Sequence, residues 1–501
     1  MLPNVYIFLQ QKRNTKGSTT LKKKLTKSIT KIKHIVKKST ESLVAKLNDS
    51  LAEIFYDNQL NIMAKKTNFV QRSSSRINGT EFIQSMILAS IDPKSCPLSG
   101  IVDTLVTINP QAKMSVSGLR QRINSPEAVV FLVEAYTNTV ESKLKKMSTE
   151  LNSLSNKYDK GALQYFSEVL LHDSSSCTLN EILKDKFKGS SGLASKSLVK
   201  IDLIHDLKAN HVEEVIITDV SEPDIVLSKR ILKHVKKTTL VIQDLGFFEI
   251  ETFEKINEKE GYYLSRLLSG VLVYLNKVDK NPIDLGKHLL MLSKKGKSLD
   301  IEVFVTKKKM RTRLLAYLVP DEVFNKRRRD YDKKYNGRTA SAETIARQRF
   351  TILITNVPKE IWSWKIVGTI YKIRWQIELL FKVWKSQLNF NYLEGTKSER
   401  IYCLIYARLL AIILILTVYS IIEKLITPFG LELSLTKLVN WLKRQGRFMT
   451  IILKGVTSEL LDSLVQGLEL LCKDNWQSNR KTTQQYIEDE ISFFESFKNV
   501  A

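Results

Sequence analysis

The sequence predicts an α/β protein, on three observations. A chain of 501 residues, 43% hydrophobic and 9% aromatic, can build sizeable cores, which argues against global disorder. Between residues 166 and 244, short runs rich in Val, Ile and Leu are separated by turn residues and by one helical segment, Ile225 to Val235, the texture of strands joined by turns and a helix. On either side, apolar residues recur at three- and four-residue steps, the period of amphipathic helices. Length alone gives a prior of roughly three domains.

The charge points to a polyanion. Lys and Arg number 78 against 52 Asp and Glu, a formal net charge of +26, far more than solubility needs and most often a sign of nucleic acid, with anionic membrane as the competitor. Leu409 to Ile422 tests the membrane reading: it is uncharged and very apolar, but it has only 14 residues and is closed by Arg408 and Glu423, whereas a span needs roughly 20. It reads as a buried helix, with no membrane partner. The first residues place an apolar run before the positive charges, the reverse of a secretory leader. Cys96, Cys177, Cys403 and Cys472 are far apart and form no CxxC pair, so neither a disulfide framework nor a zinc site is suggested and a reducing cytoplasm fits.

Taken in order, residues 1–42 form a basic arm: from Lys12 to Lys38 there are eleven basic residues and no acidic one, with Leu25, Ile29, Ile32 and Val36 at helical spacing. It is either a nucleic-acid clamp or a solvated tail or upstream extension. Residues 43–150 are helical in pattern (FIQSMIL, GIVDTLVTI, AVVFLVEAY), with Ser115 as the N-cap of a helix carrying Arg120 and Arg122, and suggest a small DNA-binding domain. Residues 160–267 carry the strands FSEVLLHD, SLVKIDLIHDL, EEVIITDV, TLVIQD and YYLSRL. Residues 268–348 form a basic, β-rich stretch with EVFVT and RLLAYLVP, and from Lys307 to Arg338 twelve basic residues face four acidic ones. Residues 349–425 return to a strand, TILITN, and a long helix from Trp364 to about Leu388; residues 426–501 are helical and end in the acidic IEDEISFFESF.

Two strands end in aspartate at what would be one edge of a sheet, Asp173 in LLHDSSS and Asp244 in VIQDLGF. Carboxylates at strand ends are the hard oxygen ligands that Mg2+ prefers, and a ribonuclease H-like sheet uses them with a third carboxylate from a later helix. Each Asp alone is better explained as a turn residue or helix cap, and Asp202, Asp206 and Asp219 are rivals. The helix YKIRWQIELLFKVWKS favours the first pair. At about 100° per residue, Tyr371, Arg374, Glu378 and Lys385 share an arc of about 60°, while Ile377, Leu380, Phe381, Trp384 and Leu388 occupy the neighbouring one. A carboxylate beside two cations suits a site that grips a metal-bound phosphate. A solvated face with Glu378 paired to Lys382 is the alternative.

The spacing of Tyr371, Arg374, Glu378 and Lys385 and the segment RWQIELLFKVWKS closely resemble the signature of the insertion-sequence-four family of DDE transposases. AKKTNFVQRSSSRINGTEFI, KFKGSSGLASKSLVKIDLIHDL and RRRDYDKKYNGRTASAE are similar to other parts of that family, so the resemblance covers roughly residues 45 to 420. It implies a ribonuclease H-like catalytic core interrupted by a β-rich insertion, with helical N-terminal and C-terminal regions. It implies Asp173, Asp244 and Glu378 as catalytic, metal-holding residues for two Mg2+ ions, with Mn2+ as a substitute. Tyr371, Arg374, Trp375, Lys385, Arg266 and Phe350 are implied to meet DNA. Trp375 would support a flipped base, with Phe350 standing where the family often has a second Trp, and Ser174 stands where it often has Gly.

The activity implied is cut-and-paste transposition: metal-dependent strand cleavage at transposon ends and strand transfer into target DNA. The partners implied are double-stranded DNA and a second copy of the chain in a synaptic homodimer, in the bacterial cytoplasm at the nucleoid. A decayed or co-opted DNA-binding protein without catalysis is the alternative.

Overall fold

The computed structural model describes residues 58–72, 75–91, 97–139, 161–189, 196–336, 339–426, 432–455 and 457–472, with Ala45, Asn48 and Tyr158 besides. The basic arm and the acidic C-terminal tail lie outside the described residues.

Among the elements with described bounds, five helices come first: α1 (Gln59–Lys66), α2 (Gly79–Ile91), α3 (Leu98–Ile108), α4 (Val116–Ile123) and α5 (Pro126–Asn138). Their starts are set by local chemistry. Asn78 Oδ1 accepts from the Glu81 N–H while Glu81 Oε2 accepts from the Asn78 N–H, a reciprocal cap for α2. Ser115 caps α4 through the Gly118 N–H, as the sequence predicts, and Ser125 caps α5 with Pro126 at its first position. α2, α4 and α5 pack on α13 (Ser398–Ile426), and α1 and α3 pack on those helices in turn.

Nine strands form one sheet in the order β3-β2-β1-β4-β5-β9-β8-β7-β6. In chain order they are β1 (Val169–Thr178), β2 (Leu198–Asp206), β3 (His211–Asp219), β4 (Leu240–Gln243), β5 (Tyr262–Arg266), β6 (Val273–Tyr274), β7 (Leu299–Val305), β8 (Met310–Leu318) and β9 (Phe350–Thr355). β1 is parallel to β4 and β4 to β5; every other pairing is antiparallel. The strands of the basic stretch therefore extend the same sheet through β9. The short helix α6 (Asp224–Leu227) follows β3, α7 (Ile250–Glu258) lies between β4 and β5, α8 (Leu285–Lys294) between β6 and β7, and α9 (Asp321–Lys334) and α10 (Ala342–Gln348) between β8 and β9.

Strand alternation divides the apolar rows between two cores. Val169, Leu171, Val199, Ile201, Leu203, Leu240 and Ile242 join the core built with the N-terminal helices and α13, whereas Leu170, Ile204 and Val241 join the core under α7 and α8. Asp173 continues the first row of β1 and Asp244 the first row of β4, so both face the same side.

Two expectations change here. The run from Trp364 to about Leu388 is not one continuous helix: α11 (Trp364–Tyr371) passes through a 3₁₀ turn, Lys372–Arg374, into α12 (Trp375–Gln387). The apolar run 409–422 sits inside the 29-residue α13, which is long and apolar enough to cross a bilayer. Length therefore does not exclude a span, but 89% of its apolar window is buried inside the protein, and Arg408 is buried with it, donating to the carbonyls of Leu404 and Tyr392. α14 (Leu435–Lys443), α15 (Arg447–Lys454) and α16 (Ser458–Leu471) complete the described chain.

Candidate active site

β1 and β4 pair in parallel from Val169–Leu240 to His172–Gln243 and no further. The next residue on each strand is an aspartate, so the register itself brings Asp173 beside Asp244. The sequence places both at strand ends; this holds for β4, but β1 continues to Thr178 against β2. Asp173 is thus mid-strand, at the point where β1 loses its β4 neighbour. Its Oδ1 accepts from the Ser174 N–H at 2.8 Å, which turns Oδ2 toward α12.

The 3₁₀ turn before α12 brings Arg374 over this edge. Its Nη2 is 2.5 Å from Glu378 Oε1, its Nη1 3.6 Å from Asp173 Oδ2 and its Nε 3.7 Å from Asp244 Oδ1. Glu378 therefore pairs back to Arg374, and the alternative of a solvated Glu378–Lys382 face does not describe this helix. Tyr371 OH donates to Asp244 Oδ1 at 3.4 Å. Ile377, Leu380, Phe381, Trp384 and Leu388 are buried, as the helical arc predicts.

The electrostatics follow from burial. Asp173, 17% exposed, is pushed up to about 6 because burial penalises its charge and Asp244 and Glu378 add to this, against the opposing Ser174 N–H and Arg374. Burial works against the Arg374 charge too, but Asp244, Tyr371 and Glu378 more than offset it. Burial, with Asp244, pushes the Tyr371 phenol upward, keeping it a proton donor. Three carboxylates against one guanidinium leave an excess of negative charge on hard oxygen donors. Hard carboxylate oxygens are the donors that suit a divalent cation, but among the described residues no group of three His, Cys, Asp or Glu side chains is placed to hold one as it stands, because the three carboxylates are gathered on Arg374 instead.

The remaining candidates divide. Lys385 Nζ donates to the Ser176 carbonyl at 2.8 Å, farther along β1. Arg266, at the end of β5, is close enough for its charge to act on Tyr371. Trp375 is 60% exposed on the rim. Phe350 must be corrected: it is the first residue of β9, 2% exposed in the core beneath α7 and α8, and offers no aromatic face to a base. The rival aspartates have structural partners: Asp202 faces His172, Asp206 accepts from the Val169 and Lys208 N–H groups, and Asp219 accepts from the Ser221 N–H. Sequence reasoning missed Asp224, which accepts from Ser174 Oγ and from the buried Lys200, both at 3.0 Å; nothing in its local sequence marks it.

A model of the transposase DDE domain matches residues 164–414, a span containing every site residue named above. The transposase for insertion sequence element IS1151 of Clostridium perfringens is 28% identical over 396 residues, covering 74% of this chain and 80% of its own length. The transposase for insertion sequence element IS231B of Bacillus thuringiensis subsp. berliner is 26% identical over 441 residues, covering 83% and 89%. A solved structure of the piggyBac transposase synaptic complex with hairpin DNA covers 87% of each chain at 11% identity, with a TM-score of 0.38.

Proposed function

The chain belongs to the transposase DDE domain family and is a DNA transposase, a metal-dependent DNA-cleaving and strand-transfer enzyme; from that premise we propose that Asp173, Asp244 and Glu378 are its catalytic carboxylates. The observation that carries this reading is their convergence on Arg374 at the edge where the β1–β4 ladder ends. The sheet order β3-β2-β1-β4-β5, with β1, β4 and β5 parallel, supports a ribonuclease H-like core.

Two Mg2+ ions, with Mn2+ as a substitute, would be held by Asp173, Asp244 and Glu378 and would stabilise charge on the attacking and leaving oxygens of the cleaved strand. Arg374 balances part of the carboxylate charge and has its guanidinium poised for a DNA phosphate. Tyr371, held protonated, keeps the Asp244 carboxylate oriented. Trp375 offers an open indole face on which an unstacked base can lie. Lys385 and Arg266 add positive potential along the path of the strand. The net charge of +26 supports contacts to both transposon ends and target DNA, and we place the enzyme at the bacterial nucleoid, acting as a homodimer that pairs two ends.

The test is nicking of transposon-end DNA by purified Asp173→Asn, Asp244→Asn and Glu378→Gln proteins in Mg2+. Each variant keeps size while removing a ligand charge, so end binding persists and nicking disappears. Nicking near the wild-type rate by any of them refutes its assignment.

A further inference from the structure

Directly behind the acidic pocket, on the opposite face of the sheet, lies a buried polar cluster that the proposed reaction does not use. His172 and Gln243 immediately precede Asp173 and Asp244 and face each other in the last rung of the β1–β4 ladder. Both are fully buried. Gln243 Nε2 donates to His172 Nδ1 at 3.0 Å, and His172 Nε2 donates to Asp202 Oδ1 on β2 at 2.9 Å. One imidazole thus spans three strands. The Phe247 ring lies against it at 4.1 Å between centroids, and Phe247 belongs to the 3₁₀ turn, Leu245–Phe247, that starts immediately after Asp244. His172 therefore touches residues on both sides of Asp244.

The position of this cluster matters because the backbone ladder stops there. Beyond His172–Gln243 no β1–β4 rung fixes Asp244 relative to Asp173, yet a metal-binding pair must be held within about 0.5 Å. Packing alone would be met by apolar residues such as Leu170 and Val241, which precede them on the same face. Burying three polar side chains instead carries a desolvation cost that each must recover by pairing. We propose that His172, Gln243 and Asp202 form a clasp that sets the separation of Asp173 and Asp244, with His172 and Gln243 acting as positioning residues. The proposal rests on the assignment of those aspartates as metal ligands.

Gln243→Met in the full-length protein is the decisive variant. Methionine keeps the length and volume of the side chain, and it removes both the donor to His172 and the Gln243 Oε1 atom, which is buried without a hydrogen-bond partner. The buried His172 Nδ1 loses its donor, which costs about 1–3 kcal/mol, so a melting temperature lowered by about a few degrees is expected, and binding and nicking are measured well below it. Mn2+ binding without DNA, measured by titration calorimetry, is expected to weaken about 10- to 100-fold, the usual effect of losing support behind a metal ligand. Single-turnover nicking at saturating end DNA falls while the Kd for that DNA is unchanged. His172→Phe behaves likewise, and His172→Gln, which can again accept from Gln243 and donate to Asp202, recovers most of the lost Mn2+ affinity. Should His172→Phe not fold, Gln243→Met decides alone.

Asp173→Asn is measured beside them. If it binds Mn2+ as wild type does, the ligand assignment falls, and the clasp with it. If it loses Mn2+ while Gln243→Met binds as wild type does, the assignment stands and the clasp is overturned.

Discussion

Arg313, which is buried, and Arg374, which is partly buried, face carboxylates at the two halves of one sheet, and they are held in opposite ways. Arg313, on β8 and 5% exposed, donates from Nε and Nη2 to the two oxygens of Asp300 at 2.8 Å each. Its Nη1 serves the carbonyls of Val357 and Trp362 at 3.2 and 2.8 Å. Arg374, 14% exposed, faces three carboxylates, yet only Glu378 is within hydrogen-bond distance, and its buried Nε has no hydrogen-bond partner. One acid matched to one base, with each nitrogen engaged, closes a structural knot. Three acids around one base that bonds closely with only one of them leave charge and donor atoms available to a ligand. The contrast is the one expected if the proposed site lies at the β1–β4 edge and the β7–β8 extension supplies ordinary cohesion.

The largest expected effect separates the two regions directly. Glu378→Gln should reduce nicking by at least about a hundredfold to a thousandfold, as expected for loss of a preorganised charge in a reacting site, while its melting temperature stays near wild type. Arg313→Met should do the reverse. It strands Asp300, which among the described residues then keeps the ion pair to Lys359 at 3.9 Å alone, and removing one partner of a buried pair costs about 3–5 kcal/mol. Denaturant unfolding measures that loss, and the fraction that remains folded should nick normally. A nicking defect in folded Arg313→Met protein would erase the distinction.

How far the sequence foretold this contrast depends on which interactions are periodic. That Asp173, Asp244 and Glu378 come together around Arg374 is legible because strand alternation and helical spacing act over a few residues, and because the Tyr371-to-Lys385 pattern resembles a known family. The continuation of β1 through Ser174, Ser175 and Ser176 is not. Those residues read as a turn, and it is the antiparallel partner β2, with Ser174 opposite Asp202 and Thr178 opposite Leu198, that overrides their weak strand preference. The 3₁₀ turn at Lys372–Arg374 carries no breaker residue to announce it. Phe350 was misjudged as a stacking partner because β9 begins one residue earlier than expected, and its strand position turns the ring into the core. His172 and Gln243 are polar residues on apolar strands, a visible anomaly, but their pairing depends on a register that no single strand specifies.

The acid surplus has a cost that can be measured without catalysis. Asp173 is held at about 6 in the folded protein against an ordinary 3.8. Its folded value is raised, so its contribution to stability is fully present below pH 3.8 and is lost as pH rises through 6. At one pH unit per 1.36 kcal/mol, the penalty at neutral pH is about 3 kcal/mol as an upper bound. In EDTA, Asp173→Asn should therefore be more stable than wild type at pH 7.5, with the difference vanishing near pH 4. Adding Mg2+ should raise the melting temperature of wild type and leave the variant unmoved. An Asn variant less stable than wild type at pH 7.5 would mean that Arg374 already balances the pocket as fully as Arg313 balances Asp300.

The smallest effect concerns Lys385, whose place in the comparison is intermediate. Its ammonium is exposed and donates to the Ser176 carbonyl at 2.8 Å, so unlike Arg374 it has a satisfied partner, and unlike Arg313 that partner carries no charge. A backbone carbonyl can be exchanged for a DNA phosphate at little cost, because the Ser176 oxygen then faces water. If Lys385 makes that exchange, Lys385→Ala should weaken end binding and reduce the slope of log K against log salt by about one unit, since one phosphate contact releases about one counterion. Arg374→Ala should show the same change in slope, plus altered Mn2+ affinity in the absence of DNA. Lys385→Ala should leave Mn2+ affinity alone. An unchanged salt slope together with a lowered melting temperature would instead group Lys385 with Arg313, as a side chain that ties α12 to β1.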